Sequence, residues 1–385
     1  MGSRNKKTKK KRKTIKYYDY SLLAVLICLM CFGLVMLYST SAYSALVKYG
    51  NSMHYFTRQL IFSLMGLFGM HVVSKIHYHW YYKRAKAIFY LSLLLMALVQ
   101  TPLGKTVNGA RRWIRLPGGL TLQPAEIAKI AVIIFIPALI CQMGKRFATL
   151  EGTIKVFMWG CTSAACVWFL TDNLSTGIIV GGITCVLIIV AHPKTKIFVG
   201  LAVAAFVAIL AGVAFIGATM TTSESFRLRR IIAWLNPEAY ASEGAYQTLQ
   251  GLYAIGSGGF FGKGLGNSVQ KMVIPEVQND MILSAICEEL GVCGAILILI
   301  LFGMLIYRLM FIAQNAPDLY GSLIVTGIMA HIALQVILNI AVVTNTIPNT
   351  GITLPFFSYG GTSVIFLLAE MGLALGVSSR IQIEE

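Results

Sequence analysis

The stretch that decides the reading runs from Tyr246-Gln247 through Ile255-Gly256-Ser257-Gly258-Gly259 and Gly264-Leu265-Gly266-Asn267-Ser268 to Pro275-Glu276-Val277-Gln278-Asn279-Asp280. It is polar, glycine-rich and charged, and it ends on a carboxylate at the lip of an apolar run. The chain around it is almost wholly apolar. Of 385 residues, 57% are hydrophobic and 12% charged, with a mean hydropathy of +0.73. A soluble domain carries about 25% charged residues. Composition therefore points to a polytopic membrane protein. An ordered-looking polar loop in such a chain marks a place for chemistry.

Outward from this loop, ten apolar runs read as helices, near 18–40, 57–76, 84–101, 125–143, 154–171, 174–192, 196–219, 281–312, 320–345 and 362–380. Each is close to the ~20 residues that cross a bilayer. The expected fold is an all-α polytopic membrane protein of about ten transmembrane helices. A large extracellular loop, 220–280, joins helices 7 and 8. Residues 1–16 form a cytoplasmic polybasic tail, 17–380 the membrane domain and 381–385 a second cytoplasmic tail.

Nine of the 32 basic residues lie between Arg4 and Lys16. Such a tail anchors on anionic lipid, and nucleic acid is not expected as a partner. The apolar run from Ser21 to Leu37 is too long for a signal-peptide core and reads as a retained first span. The tail places the N-terminus in the cytoplasm, and ten spans return the C-terminus there. Without the tail, 11 cations fall inside and 12 outside, which is no bias. The outer excess gathers at Lys105, Arg111, Arg112, Arg115 and Lys129, and at Arg227, Arg229, Arg230, Lys263 and Lys271. Cations kept on an outer face suit an anionic ligand. Cys28, Cys31, Cys141, Cys161, Cys166, Cys185, Cys287 and Cys293 lie in or beside apolar runs, with no Cys/His cluster, and read as small apolar residues.

The unusual segments share the outer side: Asn108-Gly109-Ala110-Arg111-Arg112-Trp113, Gln123-Pro124-Ala125-Glu126-Ile127-Ala128-Lys129, the 246–280 loop, and Leu354-Pro355-Phe356-Phe357-Ser358-Tyr359-Gly360-Gly361-Thr362-Ser363. Irregular backbone at membrane depth is tolerated only inside protein or facing water, so together they predict a cavity or groove. In this order, the motifs resemble those of the SEDS family (shape, elongation, division, sporulation), over nearly the whole chain after the tail. Their spelling is nearer the division and sporulation branches than the elongation branch. Two departures stand out. Gln278-Asn279-Asp280-Met281 replaces the family's His-Thr-Asp-Phe. Asp172-Asn173-Leu174-Ser175-Thr176 replaces Pro-Asp-Leu-Gly-Thr, leaving the role of the Asn173 position open.

The resemblance implies a peptidoglycan glycosyltransferase of the bacterial plasma membrane, working at the division septum. It joins lipid II to a growing glycan strand with inversion at the anomeric carbon, and undecaprenyl diphosphate leaves. It also implies a class B penicillin-binding protein (a transpeptidase) and other division membrane proteins as partners. The attacking hydroxyl must lose a proton, so a carboxylate must stand near it. Asp280 is the candidate, although an aspartate there also suits an N-terminal helix cap. The departing diphosphate needs cations or a divalent metal. The candidate substrate-binding residues are Arg111, Arg112, Lys129, Lys263, Asn267 and Ser358. A divalent cation, Mg or Mn, is the one candidate cofactor, with no protein metal site expected.

Glu288 and Glu289 lie two turns into the eighth helix, where pairing and catalysis are equally good readings. His331, Gln335 and Asn339 repeat every four residues and predict an interhelical hydrogen-bond stripe. Gly256–Gly262 has no strand before it, which excludes a dinucleotide loop. Two other functions compete with catalysis. One is a lipid II flippase; the other is a non-catalytic scaffold for a cell-wall synthase. Transport predicts discontinuous helices at midplane. The irregular segments here fall at the outer edge, which favours chemistry.

Overall fold

The computed structural model describes residues 14–107, 109–115, 121–201, 203–204, 207, 211, 231, 233–240 and 245–384. The tail at 1–13, Asn108, most of the expected span at 196–219, and Arg227, Arg229 and Arg230 lie outside them. The helices are α1 (Tyr20–Tyr49), α2 (His54–Lys75), α3 (Tyr78–Leu98), α4 (Pro124–Met143), α5 (Leu150–Thr171), α6 (Leu174–Ala191), α7 (Tyr246–Gly258), α8 (Ile282–Gln314), α9 (Leu319–Val343) and α10 (Ser363–Ser378). Strands β1 (Thr14–Tyr17) and β5 (Ile381–Glu384) pair antiparallel and bring the two ends of the described chain together. Strands β2 (Gly104–Val107), β3 (Ala110–Arg115) and β4 (Thr121–Leu122) form a small antiparallel sheet between α3 and α4.

Among the described residues, seven helices are long and apolar enough to cross a membrane: α1, α2, α4 with its 3₁₀ extension, α5, α6, α8 and α9. Two others fall short for readable reasons. Helix α3 opens with Tyr78-His79-Trp80-Tyr81-Tyr82-Lys83-Arg84, which lowers its apolar content. Helix α10 has only 16 residues and follows the irregular segment that ends at Thr362. Loop 220–280 is not unstructured either: its described part holds α7 and a 3₁₀ turn, Gln270–Met272.

Local chemistry sets the helix ends. Asp19 caps α1 by accepting from Leu22 N at 2.8 Å. Thr149 caps α5 and Asp318 caps α9. Asn173 caps α6 by accepting from Thr176 N at 3.1 Å. Asn fills this capping position as well as Asp would. Helices α4 and α9 are the most enclosed and form the centre, while α2, α5 and α8 turn most of their residues outward. Helices α2 and α10 pack closely at small residues. A Cβ at Gly66 would meet the Leu368 side chain at 2.5 Å, and one at Gly372 would meet Met70 O at 2.6 Å. Close packing at small residues is a main source of helix association in lipid.

The end away from the polar loops is tied by charge. Arg308 on α8 donates from Nη2 to Asp19 Oδ2 at 2.7 Å and from Nε to both carboxylate oxygens, and it also reaches the Tyr17 hydroxyl. The Asp19 side chain is fully buried, and this pairing gives it its counter-charge and its hydrogen-bond donors.

Candidate active site around Asp280

Helix α8 begins at Ile282, and its capping position is Met281, with no side-chain cap. The capping role open to Asp280 is therefore not taken up. Its Oδ1 accepts instead from Gln247 Nε2 at 2.9 Å. Gln247, in the first turn of α7, accepts in turn at Oε1 from Asn349 Nδ2 at 3.2 Å. That second bond turns the Gln247 amide so that its nitrogen faces the carboxylate. Asn339 of α9 donates from Nδ2 to Asp280 O at 2.9 Å and to Ile352 O at 2.7 Å. Two amides thus hold Asp280, and a third braces Gln247, where α7, α8, α9 and the 349–353 segment meet.

The stripe predicted on α9 is real. His331 Nδ1 lies 2.7 Å from Glu370 Oε2 on α10, and His331 Nε2 lies 2.9 Å from Gln335 Oε1. Gln335 Nε2 donates to Thr353 O at 3.0 Å. These bonds fix the irregular backbone from Asn349 to Ser358 against the helices. Ser358 Oγ accepts from Leu354 N at 2.8 Å, and Tyr359 N donates to Gln278 O at 2.8 Å, which joins this segment to the Asp280 strand of the loop. Gln278 thus contributes its backbone here. Burial pushes the Tyr359 phenol above its ordinary value.

Beside this segment lies a polar cavity of about 20 Å³, lined by Gln59, Glu126, Gln335, Thr353, Ser358 and Ser363. That is room for about one water. A hollow of about 360 Å³ lies elsewhere, between His77, His79, Asp318 and Arg380, and takes no part in this site.

The structure separates the expected cations. Lys129 is buried and paired with Glu126 at 3.0 Å. Lys263 pairs with Glu288 at 2.6 Å and also reaches Ser257 Oγ at 2.9 Å. Asn267 donates to Lys263 O at 3.0 Å, inside the loop. Arg111 and Arg112 lie on β3, where the ladder passes from Lys105–Trp113 to Thr106–Arg111 and leaves Arg112 as a bulge. Arg111 Nη2 donates to Thr101 O at 2.6 Å, and Arg112 Nη2 to Asp172 O at 3.0 Å. Lys129 and Lys263 thus face glutamates, whereas these bonds of the two arginines run to backbone carbonyls.

Glu288 and Glu289 are paired rather than poised. Besides Lys263, Glu288 accepts from Ser268 Oγ at 2.5 Å and from the backbone N–H groups of Val269 and Gln270. Glu289 accepts from Lys271 Nζ at 2.9 Å and from Ser39 Oγ at 2.6 Å. Between these residues and the rest of α8 the helix is broken. Gly291 has φ 67° and ψ −162°. Gly262 and Phe260 enter the gap, so Lys263 N and Gly264 N donate to Glu288 O and Glu289 O, and Val292 N and Cys293 N donate to Gly259 O and Phe260 O. The apolar pattern predicted continuous helix here. Gly291 was the available signal, but its partner loop is far away in sequence. Gln247, Asn349 and the Glu126–Lys129 pair are likewise site features that the sequence did not assign.

Among the described residues, no group of three or more His, Cys, Asp or Glu comes together to hold a metal. Around Asp280 the donors named above are one carboxylate and neutral amides, which do not make a metal-ligand set.

Residues 19–382 match the FtsW/RodA/SpoVE family, described as cell cycle protein. The chain is 37% identical to stage V sporulation protein E of Bacillus subtilis (strain 168), over 94% of this chain and 96% of that one. It is 34% identical to the probable peptidoglycan glycosyltransferase FtsW of Trichlorobacter lovleyi, over 95% and 94%. Its fold is similar to a chain of a peptidoglycan synthase complex that coordinates polymerization and crosslinking, with a TM-score of 0.76, 26% identity and coverage of 94% and 97%. It also resembles the rod shape determining protein RodA of Thermus thermophilus, with a TM-score of 0.67, 26% identity and coverage of 95% and 98%.

Proposed function

The chain belongs to the FtsW/RodA/SpoVE family of cell cycle proteins, and on that premise we propose that it is a peptidoglycan glycosyltransferase with Asp280 as its general base. The supporting observation is the way Asp280 is held. Its carboxylate is gripped by a neutral amide, while the neighbouring glutamates are neutralised by lysines. That amide fixes the direction of the carboxylate, which a general base needs in order to meet the hydroxyl it deprotonates.

In the proposed reaction a sugar hydroxyl of one lipid-linked glycan attacks the anomeric carbon of another. The new C–O bond forms as the bond to the diphosphate oxygen breaks, and configuration inverts. Asp280 takes the hydroxyl proton. Undecaprenyl diphosphate departs with the bonding pair, and Arg111 and Arg112 are the proposed cations for its charge, since a guanidinium matches phosphate geometry. Lys129 and Lys263 would serve only by exchanging their glutamate partners. Asn267 and Ser358 would act through the shape of the loops they hold. A divalent cation, Mg or Mn, would arrive on the diphosphate, as Mg²⁺ commonly does.

The polar loops would face the cell exterior, with both ends of the chain in the cytoplasm and the enzyme at the septum. A class B penicillin-binding protein is the proposed partner, in keeping with the synthase-complex relative. The break in α8 gives some weight to transport, where discontinuous helices are common. Here, however, it is closed by the protein's own backbone.

The test is polymerisation of labelled lipid II by the purified protein with its transpeptidase. General-base removal costs about 10²–10⁴-fold, so Asp280→Asn is expected to abolish detectable polymer while the protein stays folded and monodisperse. Normal polymer from that variant would remove the assignment.

A further inference from the structure

The segment that fills the α8 break has an unusual surface. Phe261 is 80% exposed, and Phe260, Leu265, Val269 and Met272 are each more than half exposed. Its two lysines do not balance this with free charge. Lys271 is buried on Glu289, and Lys263 holds Glu288. A loop in water would reverse this arrangement, with lysines outward and phenylalanines inward.

Height along α8 explains it. Arg308 is tied to Asp19 where α1 begins, and so marks one membrane boundary. At 1.5 Å per residue the stretch from Arg308 to Gly291 spans about 26 Å. The hydrocarbon layer is about 30 Å thick. Gly291, and the loop backbone bonded around it, therefore lie at the opposite boundary of the hydrocarbon. The exposure pattern of α8 agrees independently. Between Ile282 and Gly291 no large apolar side chain is exposed, whereas Val292, Ile296, Leu297, Leu299 and Ile300 are. The lipid-facing stripe of α8 starts at the residue whose N–H is bonded to Gly259 O.

We propose that residues 259–273 form a foot seated in the lipid of the leaflet on the Asp280 side, with Phe260 and Phe261 at the boundary between headgroups and acyl chains. The occupant of this surface is bilayer lipid. Continuity with the α8 stripe, the matching depth and the internal neutralisation of both lysines all favour it. Aromatic side chains are enriched at that level. The internal pairs also explain how charged groups are tolerated there.

The test uses the full chain with Phe261→Trp in nanodiscs whose lipids carry bromine on the acyl chain, either near the headgroup or near the chain end. Phe260→Trp and Met272→Trp give independent reporters should one variant fold poorly. The tryptophan emission, taken as the difference from the parent protein, is expected to shift to the blue. It should lose more than half its intensity to the shallow bromines and less to the deep ones. Emission typical of water and indifferent to bromine would overturn the proposal. So would a blue shift that appears only when the transpeptidase is added, because the patch would then be a protein interface.

Discussion

Two carboxylate sites stand about two helical turns apart on one segment and are built in opposite ways. Glu288 and Glu289 are fully buried, and each is saturated by a lysine, a serine hydroxyl or backbone N–H groups. Asp280 is half-buried and is held by the amides of Gln247 and Asn339, the first on its carboxylate and the second on its carbonyl. The difference separates structure from chemistry. A buried charge needs a counter-charge to persist, and once it has one its proton affinity is committed. The Asp280 carboxylate is oriented by an amide at 2.9 Å, a bond that aims it toward the loop rather than locking it into the core. The same logic sorts the cations, since Lys129, Lys263 and Lys271 are engaged by glutamates and the arginines of β3 by backbone carbonyls.

Glu288→Ala should break this contrast most severely. It strands the Ser268 hydroxyl, two backbone N–H groups and Lys263, and removal of one buried partner costs about 3–5 kcal/mol. The expected result is an early loss of monodisperse protein on heating in detergent, in contrast with Asp280→Asn, which should melt like the parent. Equal melting of the two variants would mean that Glu288 is not a structural anchor.

The arginines come next. Arg111→Gln and Arg112→Gln each remove one permanent charge, and a charge-assisted hydrogen bond contributes about 1.5–3 kcal/mol. Each change is expected to weaken lipid II use by on the order of tenfold or more, read as KM for polymerisation in neutral detergent. If activity changes only in membranes rich in anionic lipid, the arginines bind headgroups and the diphosphate needs another cation.

Gln247→Leu should have the smallest effect and sharpens the picture most. It removes a neutral donor from a solvent-accessible carboxylate, worth about 1 kcal/mol, so polymerisation should slow roughly fivefold with little change in melting. A rate equal to the parent's would show that Gln247 does not position Asp280 for the reaction.

Much of this was legible along the chain. The apolar runs gave the described helices except α7, which lies in the expected loop, to within a few residues at most ends. The four-residue spacing of His331, Gln335 and Asn339 gave a stripe that does bond across helices. The motif order gave the family. Pairing was less legible. Nothing in the sequence matched Lys263 to Glu288 rather than to a diphosphate, or aimed Gln247 at Asp280, because those partners are separated by 25 and 33 positions.

Sequence by itself determined that this chain lives in a membrane, which runs become helices, and which loops are polar enough to work. The reason is that transfer into lipid and helix capping are local properties, summed over neighbouring residues. Only the tertiary structure decided which glutamates meet lysines, that α8 is broken at Gly291 and filled by a loop some thirty residues upstream, and that the Gln247 amide meets Asp280. Those outcomes depend on distances between remote segments, and electrostatic energy follows distance and burial rather than order along the chain.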